Sequence, residues 1–274
     1  MRRLSLPIAL AVVSCWTAYS AAAAGGPSPG LKFGSTGVLS RDGSTRWVAL
    51  WAGPGTVVES VRAGDGSVER SAYVRGIYGL PLVAFDGSTG GLSADGSRLV
   101  LSTWPAYGRH ARTRFLFLDP YTLRVQTRVE LEGAFAFDAL SPNGSLMYLT
   151  QFLGGPSSGR YAVRAVNVAA KRLYPGTIID PREPGEKMTG TPFTRTGSRD
   201  GSWAYTLYSR AKRSPFVHAL HTSAREAFCI DLPERLRPND ISQARMRVRG
   251  GVLQLRLGGR TIARIDRKTF EVSR

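Results

Sequence analysis

The sequence predicts an all-β fold, and within that class a β-propeller of five blades with four antiparallel strands each. Three observations lead there. Glycine (31) and proline (16) are plentiful in 274 residues, which works against long helices and in favour of many turns. A polar turn recurs as Asp42-Gly43-Ser44, Asp95-Gly96-Ser97, Asn143-Gly144-Ser145 and Asp200-Gly201-Ser202, at intervals of 53, 48 and 57 residues. Upstream of each turn a phenylalanine recurs as well: Phe33, Phe85, Phe137 and Phe193, spaced 52, 52 and 56 residues apart. Six or seven blades, with degenerate copies, are the alternative count.

Residues 1–24, MRRLSLPIALAVVSCWTAYSAAAA, read as a signal peptide: two arginines, an apolar stretch, then a small-residue run with A-x-A sites. The apolar stretch is shorter than the roughly 20 residues of a membrane-spanning helix, and no later stretch is a better candidate. Val12-Val13-Ser14-Cys15 also has the form of a loose lipobox. The expected location is therefore secreted or extracytoplasmic, free or lipid-anchored through Cys15. Residues 25–274 are expected to form a single propeller domain.

Within that domain each Asp/Asn-Gly pair suits a tight hairpin, because both residues tolerate positive φ. A short apolar strand follows each turn, at 47–51, 98–102, 146–150 and 203–208, with a weaker copy at 252–257 after Gly250-Gly251. Third strands are expected at 114–119, 161–167, 215–220 and 261–266, and outer ones at 123–129 and 270–272. Innermost strands are expected at 31–39, 82–92, 134–140 and 191–196. A β-sandwich need not repeat its turn chemistry at a near-constant period, whereas radial blades do. Helix is expected only as short pieces at 223–228 and 234–236. The strand order gives whole blades without strand exchange, so the first and last blades are expected to meet by side-chain packing.

The segments LSADGSRLVLS (92–102), LSPNGSLMYLT (140–150) and LDPYTLRV (118–125) resemble the YVTN-type and TolB-like, WD-repeat-like propeller repeats of exported bacterial proteins. The resemblance runs at repeat level over most of the chain from about residue 31. It implies the propeller fold and says almost nothing of function. Two departures stand out: the repeats exceed the roughly 40–45 residues of a WD-type blade, and the Tyr-Val-Thr-Asn tetrad is absent.

Thirty-seven basic against 20 acidic residues give a formal charge of +17. Such a surface attracts anionic lipid headgroups, anionic envelope polymers or acidic proteins; the export signal makes nucleic acid a poor partner. Arg245, Arg247 and Arg249 alternate along a strand and so share one side of it. Trp104, Tyr107, Arg109 and His110 share one loop, where a rigid scaffold tends to place recognition residues. Asp86 and Asp138 each follow a recurring phenylalanine, which puts them at equivalent places near the central channel. Similarity to five-bladed glycosidases makes them the catalytic candidates for a glycoside- or lactone-acting hydrolase or lyase. The plainer reading is that they cap loops or pair with arginines. His218 and His221 fall on opposite faces of a strand, so no metal site is expected, and no cofactor is expected either. The sequence thus points to a binding or scaffolding module more than to an enzyme. An assembly factor of the TolB kind would show a broad apolar or basic patch.

Overall fold

The computed structural model describes residues 28–154, 159–185, 188–210, 213–232 and 238–274; the leader at 1–24, Cys15 and the helical piece expected at 234–236 lie outside them. Among the described residues, five antiparallel meanders follow one another along the chain, each with its strands in sequence order. The first sheet contains Val38–Leu39, Thr45–Ala52, Gly55–Arg62 and Val68–Arg75. The second contains Leu99–Ser102, Arg112–Leu118 and Val125–Glu132, and the third Phe135–Leu140, Leu146–Leu153, Arg160–Asn167 and Arg172–Leu173. The fourth contains Thr191–Gly197, Trp203–Arg210, Arg213–His221 and Glu226–Asp231; the fifth contains Arg245–Arg249, Val252–Leu257, Arg260–Asp266 and Val272–Ser273. The fold is all-β and propeller-like.

The recurring turn is the same object four times. Ser40, Ser93, Ser141 and Ser198 each accept, at the backbone oxygen, the amide of the glycine three residues on, at 2.9–3.0 Å. Each serine hydroxyl donates to the Asp or Asn two residues on and accepts the amide five residues on. The Asp or Asn oxygen in turn accepts the amide of the second serine. Gly43, Gly96, Gly144 and Gly201 have φ of 76°, 73°, 65° and 75°. The residues before them are not in the left-handed region, which corrects the expected turn: only the glycine takes positive φ, as in a turn closed by a glycine bulge. A left-handed non-glycine costs roughly 1–2 kcal/mol, so the repeated glycine is a backbone requirement.

Four apolar clusters join consecutive sheets. Trp47, Ala49 and Val58 of the first sheet pack against Leu99, Leu101 and Leu116 of the second. Phe115 and Phe117 meet Phe135 and Leu149 across the next interface. Tyr148 and Val163 meet Tyr208 and Phe216, and Tyr205 and Leu207 meet Leu253 and Leu255. Large side chains fill the wedge between sheets, as alternation along each strand allows. Among the described residues, none of the four clusters contains residues of both the fifth and the first sheet.

The innermost strand of the second sheet departs from expectation. Instead of a strand over 82–92, single bridges pair Gly79 with Ser102 and Leu92 with Leu99, and the chain between them leaves the sheet as a narrow hairpin closed by the Leu82–Thr89 bridge. Leu31–Lys32, expected to start the first sheet, pairs with Leu80–Pro81 at the base of this hairpin. The tip reaches the innermost strand of the fourth sheet, where Phe85 N donates to Pro192 O and Asp86 N to Phe193 O, both at 3.0 Å. Among the described residues the second and fourth sheets share no apolar cluster, and these two hydrogen bonds carry the hairpin tip from one to the other. The helix expected at 223–228 is a turn followed by the strand Glu226–Asp231; the short helix that does form is Pro238–Gln243. No helix among the described residues is long and apolar enough to cross a membrane.

Candidate functional site

Asp138 lies where the register of Phe135–Leu140 against Leu146–Leu153 slips, between Phe137 and Ala139. The slip is a bulge, and bulges re-aim side chains. The Asp138 carboxylate is buried and pairs with Arg195 of the fourth sheet, whose Nη1 also donates to the Asp138 backbone oxygen. Arg195 Nε donates to Thr206 Oγ1 at 2.8 Å, so the guanidinium is held on three sides. His218 sits close by at 1% exposure with neither ring nitrogen hydrogen-bonded. Burial pushes its pKa down to about 4, against the opposing pull of Asp138. The Tyr208 ring meets His218 edge-on at 6.1 Å, and burial raises the Tyr208 phenol well above its usual range.

Asp86 has a different task. Its Oδ1 accepts the Ser88 amide at 3.0 Å and the Ser88 hydroxyl at 2.6 Å, which closes the tip of the crossing hairpin. Both aspartates reach the same strand, Asp86 through its amide at Phe193 and Asp138 through Arg195. One carboxylate holds a turn and the other a buried arginine.

The loop after Leu99–Ser102 displays its candidates. Trp104 is 55% exposed and Tyr107 43% exposed, and Arg109 and His110 are also exposed. The Tyr107 ring leans on Phe152 of the third sheet, with centroids 5.8 Å apart. Trp104 lies over Gly30, where a β-carbon would collide with its ring. Both aromatic rings of the loop are thus braced against neighbouring chain while each stays partly exposed.

The fifth sheet has the most pronounced charge pattern. Met246 and Val248 pack toward the fourth sheet, leaving Arg245, Arg247 and Arg249 on the opposite face. Register extends that face: Arg245 opposes Arg256, Arg247 opposes Gln254, and Gln254 opposes Arg264. Five arginines therefore share one side of three neighbouring strands, and among the described residues none of them pairs with an Asp or Glu side chain; Arg245 Nη1 donates to Ala244 O at 2.8 Å, Arg256 Nη2 to Gly259 O and Arg264 Nη1 to Arg274 O at 3.3 Å. Asp266 shares the face, but its Oδ1 accepts the amides of Thr269 and Lys268, which lower its pKa. Arg256 and Arg264 escape a strand-by-strand reading because only register puts them beside the first three. Arg195, the partner of Asp138, escapes it for a similar reason, lying 57 residues away. Among the described residues no group of three or more His, Cys, Asp or Glu side chains is placed to hold a metal.

No protein family's profile matches this chain, and no curated protein matches it in sequence. Solved structures do resemble it. A prolyl endopeptidase structure superposes with a TM-score of 0.50 at 12% identity, covering 86% of this chain and 35% of its own. The Cps50 (Swd1) β-propeller domain of Myceliophteria thermophila gives 0.48 at 10% identity, over 88% of this chain and 65% of that one. TolB from Acinetobacter baumannii gives 0.41 at 14% identity, over 81% and 49%. The chain thus spans about two thirds or less of each of these proteins. At such identities the likeness is one of fold.

Proposed function

We propose that residues 25–274 form a five-bladed, exported binding module that takes an extended anionic envelope polymer on the free face of its last sheet. The carrying observation is the set of five arginines, Arg245, Arg247, Arg249, Arg256 and Arg264, gathered on one face with no Asp or Glu side chain paired to them among the described residues. Along a strand, alternate residues stand about 6.6–6.8 Å apart, and neighbouring strands about 4.8 Å. Like charges directly opposite each other destabilise a sheet, as Arg245 and Arg256 must here. A chain of regularly spaced anions relieves that repulsion and gains from counterion release. Val252 is the one apolar side chain that register places on this face, which favours a polymer over an inserted lipid surface. Trp104, Tyr107, Arg109 and His110 offer a second contact, suited to a protein or a sugar ring. The hydrolase alternative has no such support, since Asp86 and Asp138 are engaged in a turn and an ion pair.

The test is binding to polyphosphate of defined length across a salt series. The Arg245→Ala/Arg247→Ala/Arg249→Ala variant is expected to bind more than about tenfold more weakly, with a log–log salt slope shallower by about 2–3. Equal slopes for variant and parent would overturn the reading. Tighter binding to anionic vesicles than to the polymer would move it to a lipid surface.

A further inference from the structure

The four Ser-x-Asp/Asn-Gly-Ser loops differ at x: Arg41 in the first sheet, Ala94 in the second, Pro142 in the third and Arg199 in the fourth. The last three loops interlock. Asp95 N donates to Pro142 O at 3.0 Å, the Arg98 side chain lies against Gly144, and Gly201 approaches Ala94 so closely that a β-carbon would collide with it. Small residues at x are what this contact needs on the second loop. The first loop does not join: among the described residues its hydrogen bonds stay within its own sheet. Between it and the other loops lies a concavity of about 470 Å³, continuous in its lining with a neighbour of about 300 Å³. Arg41 and Arg199 line both.

We infer that this concavity is a binding site for a compact dianion, a phosphate monoester or a small dicarboxylate, held between Arg41 and Arg199. Both guanidiniums are exposed, and neither forms an ion pair among the described residues, although Asp42 and Asp95 stand on the same rim. Those carboxylates are committed elsewhere: each Oδ1 accepts two serine hydroxyls and a serine amide of its own loop. Those bonds orient each carboxylate into its own turn, and the two exposed arginine forks remain open to oxygens that arrive from outside. An arginine fork matches carboxylate or phosphate oxygens in pairs, and two forks from different sheets match a dianion with oxygens on opposite sides. Leu92, Ala94 and the edge of Trp47 give the floor an apolar stretch for the body of such a molecule. The volume falls within the range of small-molecule sites.

The site is independent of the fifth-sheet arginines, and its test keeps the two apart. Calorimetric titrations with inorganic phosphate and with succinate, at ionic strength balanced by sodium chloride, are expected to show saturable 1:1 binding of at least one of them. Whichever binds assigns the ligand as phosphate or carboxylate. Arg41→Ala and Arg199→Ala are each expected to weaken binding about tenfold or more, with unchanged circular dichroism and melting, since both side chains are exposed. The Arg245→Ala/Arg247→Ala/Arg249→Ala variant is expected to bind the dianion as the parent does. Saturation by neither anion, or undiminished binding by the Arg41→Ala/Arg199→Ala protein, overturns the inference.

Discussion

Arg195 is anchored on Asp138 through both the carboxylate and the backbone oxygen of that residue, and so ties the innermost strand of the fourth sheet to the third. The two residues lie beside an apolar cluster of tyrosines and alanines with Val163, Ile178, Met188, Phe216 and Leu220. In such surroundings removing one partner strands the other. Asp138→Asn and Arg195→Met are each expected to lower unfolding stability by about 3 kcal/mol, and the double variant by less than their sum. Urea titrations of the four proteins read this directly. Strict additivity would mean that the two charges do not depend on each other.

That pair also marks how far the sequence alone reaches. The meander order, the repeated turn and four of the five sheets follow from polar turns and apolar runs, because those signals are local. The partner of Asp138 does not follow, since nothing near residue 138 names residue 195. The crossing hairpin at 82–89 is hidden for another reason. Its residues are as apolar as a strand, and only the docking of Phe85 and Asp86 on Pro192 and Phe193 diverts them. Strand alternation suffices for Arg245, Arg247 and Arg249, whereas adding Arg256 and Arg264 requires the cross-strand register.

His218 gives the fold an acid limit. Its folded pKa of about 4 lies below the ordinary 6.5, because the buried ring is penalised for taking a proton. Between those values the unfolded chain binds more protons than the folded one. The contribution is therefore fully present above pH 6.5 and falls as pH drops toward 4, by about 3 kcal/mol in total. Asp138, Asp180 and Arg195 are the charges acting on the ring, the two carboxylates favouring its protonation and Arg195 opposing it. Replacing His218 by Leu is expected to remove the loss over this window. Asp42 and Asp200, held down to about 2 by serine hydrogen bonds, lose their contribution only below about pH 4. A stability profile of the His218→Leu protein that still falls between pH 6.5 and 4.5 would assign the effect to other groups.

The serine that opens each repeated turn carries more than its size implies. Ser93 is buried, and its hydroxyl both donates to Asp95 and accepts the Arg98 amide. Ser93→Ala leaves the part-buried Arg98 amide without its acceptor and is expected to cost about 1–2 kcal/mol. The matching change at Ser40, in a more exposed loop, is expected to cost less, because water replaces the lost hydroxyl. Melting curves of the two single variants compare them. Equal losses would mean that burial does not set the cost.

Asp86 separates a turn-former from an acid catalyst. If its role is the turn, what matters is an oxygen two residues before Ser88 that accepts both the amide and the hydroxyl. Asparagine supplies that oxygen without the charge, so Asp86→Asn is expected to stay within about 0.5 kcal/mol of the parent, whereas Asp86→Ala loses about 1 kcal/mol. Hydrogen exchange sharpens the comparison. The Asp86 amide donates to Phe193 O of the fourth sheet, so its protection reports whether the hairpin tip remains docked. In the Asp86→Ala protein that protection is expected to fall while the amides of Phe135–Leu140 stay protected, because the tip undocks without opening the sheets. Loss of protection at Asp86 in the asparagine variant as well would show that the charge itself, and not the turn, keeps the hairpin in place.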